Sequence, residues 1–334
     1  MAKSIWGSGS NQGSQNMKDD SGRSISVCLL TYNHAHLIES TLASIQQQSL
    51  TDYEIIVSDD NSTDDSWAII QRCAATDSRI RPVRPSKNLG MAGNANFAAA
   101  QSDRPYIALL HHDDLCRVDL LEKWLDVIKK YADVGFVFNP YGVEGSDFVW
   151  RETMPGEVID GRWLLKHYLF PRWGCVVRGT AMIRRSAWTD VGGMRPEFGL
   201  LADVDLWMRL AMRRSVGYVN EPILILRQER PVDYPEEYQS NGWSWSRQRF
   251  LYKIHAANRR DYYDMHSFGG SLRWQLFRLR LSIETAKWLT YAVLRKKPEM
   301  IAQSDVSTTD YDIGPLRLYR SILLRLYSTK KRNS

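Results

Sequence analysis

Two adjacent carboxylates, Asp113 and Asp114, follow an apolar run that reads as a β-strand, Tyr106-Ile-Ala-Leu-Leu110, with His111 and His112 between. Neighbouring carboxylates repel unless a cation lies between them. A divalent cation carrying a diphosphate suits the place, because hard cations take oxygen ligands. The carboxyl end of a strand is also where open α/β sheets bind their ligands. Asp caps helices well, so the pair equally fits a plain helix start before Leu115.

Four other polar sets could join it. Thr31-Tyr-Asn33, with its hydroxyl, aromatic ring and amide, could grip a base and ribose, or form a turn that Asn33 caps. Ser58-Asp-Asp-Asn-Ser-Thr-Asp-Asp65 offers four carboxylates where one would cap the next helix, and an acid after a strand can accept from a base or a ribose hydroxyl. Asn88-Leu-Gly90 precedes a helix, where backbone N–H groups can approach a phosphate, although no Walker or GxGxxG pattern is present. Ala202-Asp-Val-Asp-Leu-Trp207 starts an amphipathic helix with two acids; one could act as general base, or both could serve the helix dipole.

The elements that must position these residues alternate. Ile25 to Leu30, Tyr53 to Ser58, Ile80 to Arg84 and Tyr106 to Leu110 read as strands. Between them, Ala35 to Gln48, Asp64 to Ala75 (capped by Ser62 or Thr63) and Met91 to Ala100 have helical spacing. The order predicts an α/β domain with a mostly parallel sheet covered by helices on both faces. Beyond it we expect helices at Leu120 to Tyr131, Trp163 to Tyr168 and Asp203 to Arg213, and strands at Val134 to Phe138, Thr180 to Ile183 and Glu221 to Arg227. Trp243 to Ala257 and Arg259 to about Lys297 read as long helices, with a break at Gly269-Gly270.

The chain has 334 residues and a net charge of +6, concentrated at one end: from Ser271 onward, 13 Lys and Arg face 5 Asp and Glu. The scattered cysteines Cys28, Cys73, Cys116 and Cys175 suit a reducing compartment, not a zinc site. No run approaches the roughly 18 apolar residues of a membrane span. Residues 1–22, rich in Ser, Gly, Asn and Gln, are expected to be disordered.

Taken in order, Ser26-Val-Cys-Leu-Leu-Thr-Tyr-Asn33, Ile55-Ile-Val-Ser-Asp-Asp-Asn-Ser-Thr-Asp64, Asn88-Leu-Gly90, Tyr106 to Asp114, Val191-Gly-Gly-Met194 and Asp203-Val-Asp-Leu-Trp207 resemble the family 2 glycosyltransferases, which use the GT-A fold. The resemblance covers about residues 24–227 and implies a catalytic domain at 23–240 with a helical, basic appendage at 241–334. It implies a metal-dependent inverting transfer from a nucleotide-diphosphate sugar, UDP-linked by preference, to a glycan or lipid-linked acceptor in bacterial surface-polysaccharide assembly. The setting implied is cytoplasmic, at the inner face of the membrane.

By the same resemblance, Thr31, Tyr32, Asn33, Asp59, Asp60, Asn88, Gly90 and Asp113 bind the nucleotide. Asp113, Asp114 and His111 bind Mn²⁺ or Mg²⁺; Asp203 is the base, Asp205 its orienting partner, and Gly192, Gly193 and Trp207 meet the acceptor. The chain departs from the pattern where His111 replaces an acid, Ala202 precedes Asp203, and Arg227-Gln-Glu-Arg230 stands where a metal-contacting His is usual, with Glu229 as a substitute. Imidazole binds Mn²⁺ but suits Mg²⁺ poorly. Trp163, Trp173, Trp243 and Trp245 could stack on sugars or fill core.

The alternative reading is a non-catalytic domain that binds a nucleotide sugar within a complex. A nucleotidyltransferase would need a Gly-rich, basic loop that Thr31 to His36 lacks, and a nucleic-acid protein would need a basic motif face where this one is acidic. At the C-terminus, Leu272, Leu276, Leu279 and Ile283 form a helical stripe among Arg273, Arg278, Arg280 and Lys287, and Arg317 to Lys331 repeats the theme. Such a stripe packs on the domain or on a second copy, lies on an anionic membrane, or meets nucleic acid.

Overall fold

Strands β1 (Ile25–Thr31), β2 (Tyr53–Asp59), β3 (Ile80–Val83) and β4 (Tyr106–His111) are short, mostly Ile, Val, Leu and Ala. β1, β2 and β4 are buried nearly throughout, as strands covered on both faces are. Side chains alternate along β1: Val27 and Leu29 enter one core with Ile38, Leu42 and Trp124, while Cys28 and Leu30 enter the other with Ala95, Leu109 and Trp207. Helices α1 (Ala35–Gln46), α2 (Ser66–Thr76) and α3 (Gly90–Ala99) connect the strands. The computed structural model describes residues 24–171, 175–227, 245–295 and 313–332. The expected disordered segment at 1–22, Trp173, Glu229, Trp243 and the loop from Val232 to Tyr238 lie outside these residues.

All four strands are parallel, in the order β3-β2-β1-β4. Register sets Thr31 beside Asp59 and Leu30 beside His111, so three strand ends are level. The chain continues through β5 (Asp114–Cys116), α4 (Leu120–Lys130), β6 (Val134–Phe138), β7 (Tyr141–Val143), β8 (Ser146–Trp150), β9 (Val158–Ile159) and α5 (Gly161–Leu164). Then come β10 (Ala181–Arg184), α6 (Arg185–Val191), α7 (Ala202–Arg213), β11 (Ser215–Tyr218) and β12 (Leu224–Leu226). The large sheet extends past β4 as β10-β6-β11-β9, and β10 runs antiparallel to both its neighbours. That reversal brings the start of β10 to the carboxyl end of β4, where Ala181 faces Leu109. A second sheet has the order β5-β12-β7-β8.

Two boundary expectations are corrected. Helix α2 starts at Ser66, not Asp64, and its N-cap is Asp65, because Ser62 and Thr63 bond across to the β1 loop instead of capping. The C-terminal helices span Trp245–Tyr262, Phe268–Leu294 and Gly314–Arg332, and the break precedes Gly269-Gly270. Ser267 caps the second of them, its hydroxyl accepting from Gly270 N at 3.0 Å. Gly270 lies in that first turn because a Cβ there would run into the Asp264 carbonyl.

The first C-terminal helix is built into the domain. The guanidinium carbon of Arg259 lies 4.5 Å from the ring centroids of both Phe170 and Phe277, and its Nη2 donates to Phe170 O at 2.7 Å. Among the described residues no helix is long and apolar enough to cross a membrane.

Candidate active site

The loops after β1 and β2 are laced together. Asn33, at φ 52°, accepts from Thr63 N through Oδ1 at 2.8 Å, and its own N–H donates to Ser62 Oγ at 2.9 Å. Asn tolerates this left-handed backbone better than most residues. Ser62 Oγ in turn donates to Asp59, which is fully buried and lies 3.1 Å from Arg84 Nε. Asp60 reaches the start of α3: Leu89 N donates to its Oδ1 at 2.7 Å, and Asn88 Nδ2 donates to its carbonyl at 3.0 Å. Burial raises the Asp60 carboxyl to about 6, against the pull of the Leu89 and Gly90 N–H groups. The structure thus gathers Thr31, Asn33, Asp59, Asp60, Asn88 and Gly90 at one place, with Tyr32 partly exposed beside them. Thr31 Oγ1 is buried there with no hydrogen-bond partner, a costly arrangement that a ligand polar group would relieve.

The loop after β4 is clamped from beneath. Arg227, 8% exposed, donates through Nε to Asp113 O at 2.9 Å and through Nη2 to His112 O at 3.2 Å. Its Nη1 donates to Ser40 Oγ of α1 at 2.6 Å. Thr41 Oγ1 also donates to His112 O, at 2.5 Å. The His112 ring sits 3.5 Å from that of His34, and burial lowers its pKa to about 3, so it is neutral.

The two carboxylates part company here. Asp114 opens β5, is 5% exposed, and accepts from Thr180 Oγ1 at 3.2 Å. It ties β5 to the start of β10, while Asp113 is the half-buried acid of the pair. A Cβ on Gly179 would lie 2.7 Å from His111 Nε2 and 3.4 Å from Asp203 Oδ2, so His111 flanks the candidate base, and its charge also reaches Asp113. Gly179, at φ +75°, lets the His111 ring lie against its backbone, and any side chain there would be strained and would collide with that ring. Among the described residues no group of three or more His, Cys, Asp or Glu could hold a metal ion. One carboxylate is still the donor set that fits a cation carried in on a substrate diphosphate, which supplies the remaining oxygens.

Asp203 occupies the first turn of α7, where the helix dipole favours an anion. Burial pushes its carboxyl up, partly offset by His111 and Arg178. Asp205 differs. It is fully buried, its Oδ2 accepts from Arg209 Nε at 2.7 Å and its Oδ1 from Asn258 Nδ2 at 2.9 Å. These bonds make Asp205 a brace that fixes α7 to the helix Trp245–Tyr262.

Trp207 has no exposed surface and packs 5.1 Å from Phe136 between ring centroids, so its expected acceptor contact is corrected to a core role. Gly192 and Gly193, both at positive φ, close α6 by bonding back to Thr189 O and Trp188 O. Gly193 O also receives Arg209 Nη2 at 2.7 Å, which ties this turn to Asp205.

The sequence alone did not single out Arg178. It is exposed, stacks 5.3 Å from the Tyr141 ring centroid, and its charge reaches both Asp114 and Asp203. The available signal was its place before Gly179 and Thr180, but only the antiparallel pairing of β10 shows where that place is.

A family model described as Glycosyl transferase family 2 matches residues 26–192, half of the 334-residue chain. EpsE of Bacillus subtilis, which carries a glycosyltransferase name, is 30% identical over 208 residues, covering 60% of this chain and 70% of its own. The Campylobacter jejuni GalNAc(5)-diNAcBac-PP-undecaprenol beta-1,3-glucosyltransferase is 34% identical over 143 residues, 42% of this chain and 44% of its own. Among solved structures, S. aureus TarS 1–349 in complex with UDP-GlcNAc aligns over 93% of this chain and 92% of its own with a TM-score of 0.60 at 15% identity. That likeness is one of fold.

Proposed function

The chain belongs to glycosyl transferase family 2, a glycosyltransferase of GT-A-type fold, and from that premise we propose that it moves a sugar from a nucleotide-diphosphate donor to an acceptor hydroxyl with inversion. UDP is the preferred donor nucleotide, and the acceptor is a glycan or lipid-linked glycan of bacterial polysaccharide assembly. The UDP-GlcNAc bound by TarS and the undecaprenol-linked acceptor named for the Campylobacter enzyme support these choices. The observation that supports the reading is that the laced loops after β1 and β2 and the end of β4 lie level at the carboxyl ends of these strands, with Asp203 beside His111 of β4.

In this reading Thr31, Asn33 and Asp60 hold the nucleoside, and the Asn88-Leu89-Gly90 turn closes that side. Arg227 fixes the backbone that presents Asp113, which would hold Mn²⁺ or Mg²⁺. When bound, such a cation supplies charge that stabilises the departing diphosphate. Asp203 takes the proton of the acceptor hydroxyl as its oxygen bonds to the anomeric carbon, and the bond from that carbon to the diphosphate oxygen breaks. Attack from the face opposite the leaving group inverts the centre. Arg178 lies close enough in charge to Asp114 and Asp203 to offset negative charge at that moment. Residues 23–240 form the catalytic unit, and residues 241–334 support it from the cytoplasmic side of a membrane.

Release of UDP from UDP-glucose, UDP-galactose and UDP-N-acetylglucosamine in the presence of Mn²⁺ tests this. The expected result is turnover of at least one donor, with the product sugar inverted at its anomeric carbon. A protein that binds UDP but releases none from any nucleotide sugar, or a product of retained configuration, would overturn the proposal.

A further inference from the structure

The helix Phe268–Leu294 has two apolar sides. Trp274, Phe277, Leu281 and Leu289 are buried against the rest of the molecule. On the opposite side Phe268, Leu272, Leu276, Leu279, Ile283 and Leu294 are exposed, Phe268 by 85% and Leu294 by 76%. At 3.6 residues per turn these six fall within a sector of about 80°, along a helix of roughly 40 Å. Arg273, Arg280 and Lys287 recur every seven residues along one border of that sector, and Arg295 follows.

The helix Gly314–Arg332 lies alongside. Thr290 Oγ1 and Tyr319 OH are 2.8 Å apart, and Ile313 N donates to Ser282 Oγ at 3.1 Å. It adds exposed Leu318 and Ile322 to the same pair of helices. A continuous apolar stripe of this extent marks an interaction surface on a folded chain.

Charge selects the partner. Residues 268–295 and 313–325 hold eight Lys and Arg, six of them exposed, and a single acid, Glu284. A second copy of the same face would set like charges against each other. A polyanion without apolar surface would match the arginines and leave the leucines in water. An anionic bilayer meets both demands, taking the leucines at the acyl boundary and the basic residues at its headgroups.

We propose that these two helices lie along the surface of an anionic membrane, without crossing it. Docking of this kind does not depend on which residues are catalytic. Its consequence for the enzyme is mechanical: Asn258, in the adjoining helix, is bonded to Asp205, two residues from Asp203, so the docked helices hold the catalytic helix at a set relation to the lipid surface.

Flotation of the full chain with vesicles tests this. Wild-type protein should float with mixed phosphatidylcholine–phosphatidylglycerol vesicles and stay in solution with phosphatidylcholine alone. The triple variant Arg273→Gln, Arg280→Gln, Lys287→Gln should bind about a hundredfold more weakly, from the loss of three surface cations. The variant Leu272→Ser, Leu276→Ser, Ile283→Ser should stay in solution although its charge is intact. These positions are solvent-exposed, and an unchanged melting temperature confirms that each variant is folded. Wild-type protein that ignores anionic vesicles, or sedimentation as a dimer that the leucine variant dissociates, would overturn the proposal.

Discussion

Replacing Asp203 with Asn is expected to lower kcat for sugar transfer by about 10²- to 10⁴-fold, the range over which a positioned general base contributes. UDP affinity should stay close to the wild-type value, because the nucleoside pocket is built from the β1, β2 and α3 loops and not from α7. The substitution is nearly isosteric and removes only the ability to accept a proton. Asp203 also has the surroundings that a base needs. Burial raises its carboxyl, which favours taking up a proton, and His111 and Arg178 act in the opposite direction. Initial rates with a turned-over UDP-sugar, set beside a UDP binding isotherm for the same variant, separate the two effects. Near-wild-type turnover would remove Asp203 as the base.

The second large effect is on stability. Asp205→Ala would leave the Arg209 guanidinium, 2% exposed, facing an empty site, and breaking one side of a buried pair costs about 3–5 kcal/mol. Arg209 also donates to Val191 O at 2.6 Å and Gly193 O at 2.7 Å, so its displacement would loosen the turn after α6 as well as α7. On the calorimetric scale for domains of this class that is a fall in Tm of roughly 10 °C. Asn258→Ala removes the other arm of the brace and should cost about 1.5–3 kcal/mol, the worth of a hydrogen bond to a charged group. Differential scanning calorimetry reads both. An Asp205→Ala protein that melts with the wild type but has lost transfer would mean that Asp205 acts on the substrate directly.

The first half of the fold is legible in the sequence because local and global signals agree there. β1 to β4 are expected within one or two residues of where they form, since strands buried on both faces need near-continuous apolar runs such as Tyr106 to Leu110. The short strands are not legible. Asp114–Cys116 begins with an acid, Ser215–Tyr218 contains a glycine, and Ser146–Trp150 is largely exposed. Each is held by its neighbour's hydrogen bonds and not by its own pattern.

The site divides along the same line. Thr31, Asn33, Asp60 and Asn88 come together as their positions at strand ends predict. What sequence could not carry is which way a side chain turns. Asp113 and Asp114 are adjacent in sequence, yet one stays half-buried in the loop and the other enters the interior to meet Thr180. Asp203 and Asp205 share the first turn of a helix, and only the partners of Asp205, Arg209 four residues on and Asn258 far along the chain, show it to be a brace. The role of Arg227 depends on contacts with Ser40 and Asp113 that no local pattern announces.

The most direct test of the central claim, that a nucleoside diphosphate is bound at the carboxyl ends of these strands through Asp113, is calorimetric titration of the protein with UDP. Wild type and Asp113→Ala are each titrated with and without Mn²⁺. Wild-type binding should be strongly enhanced by Mn²⁺, and the substitution should abolish the enhancement. Binding of equal strength in all four titrations would contradict the claim.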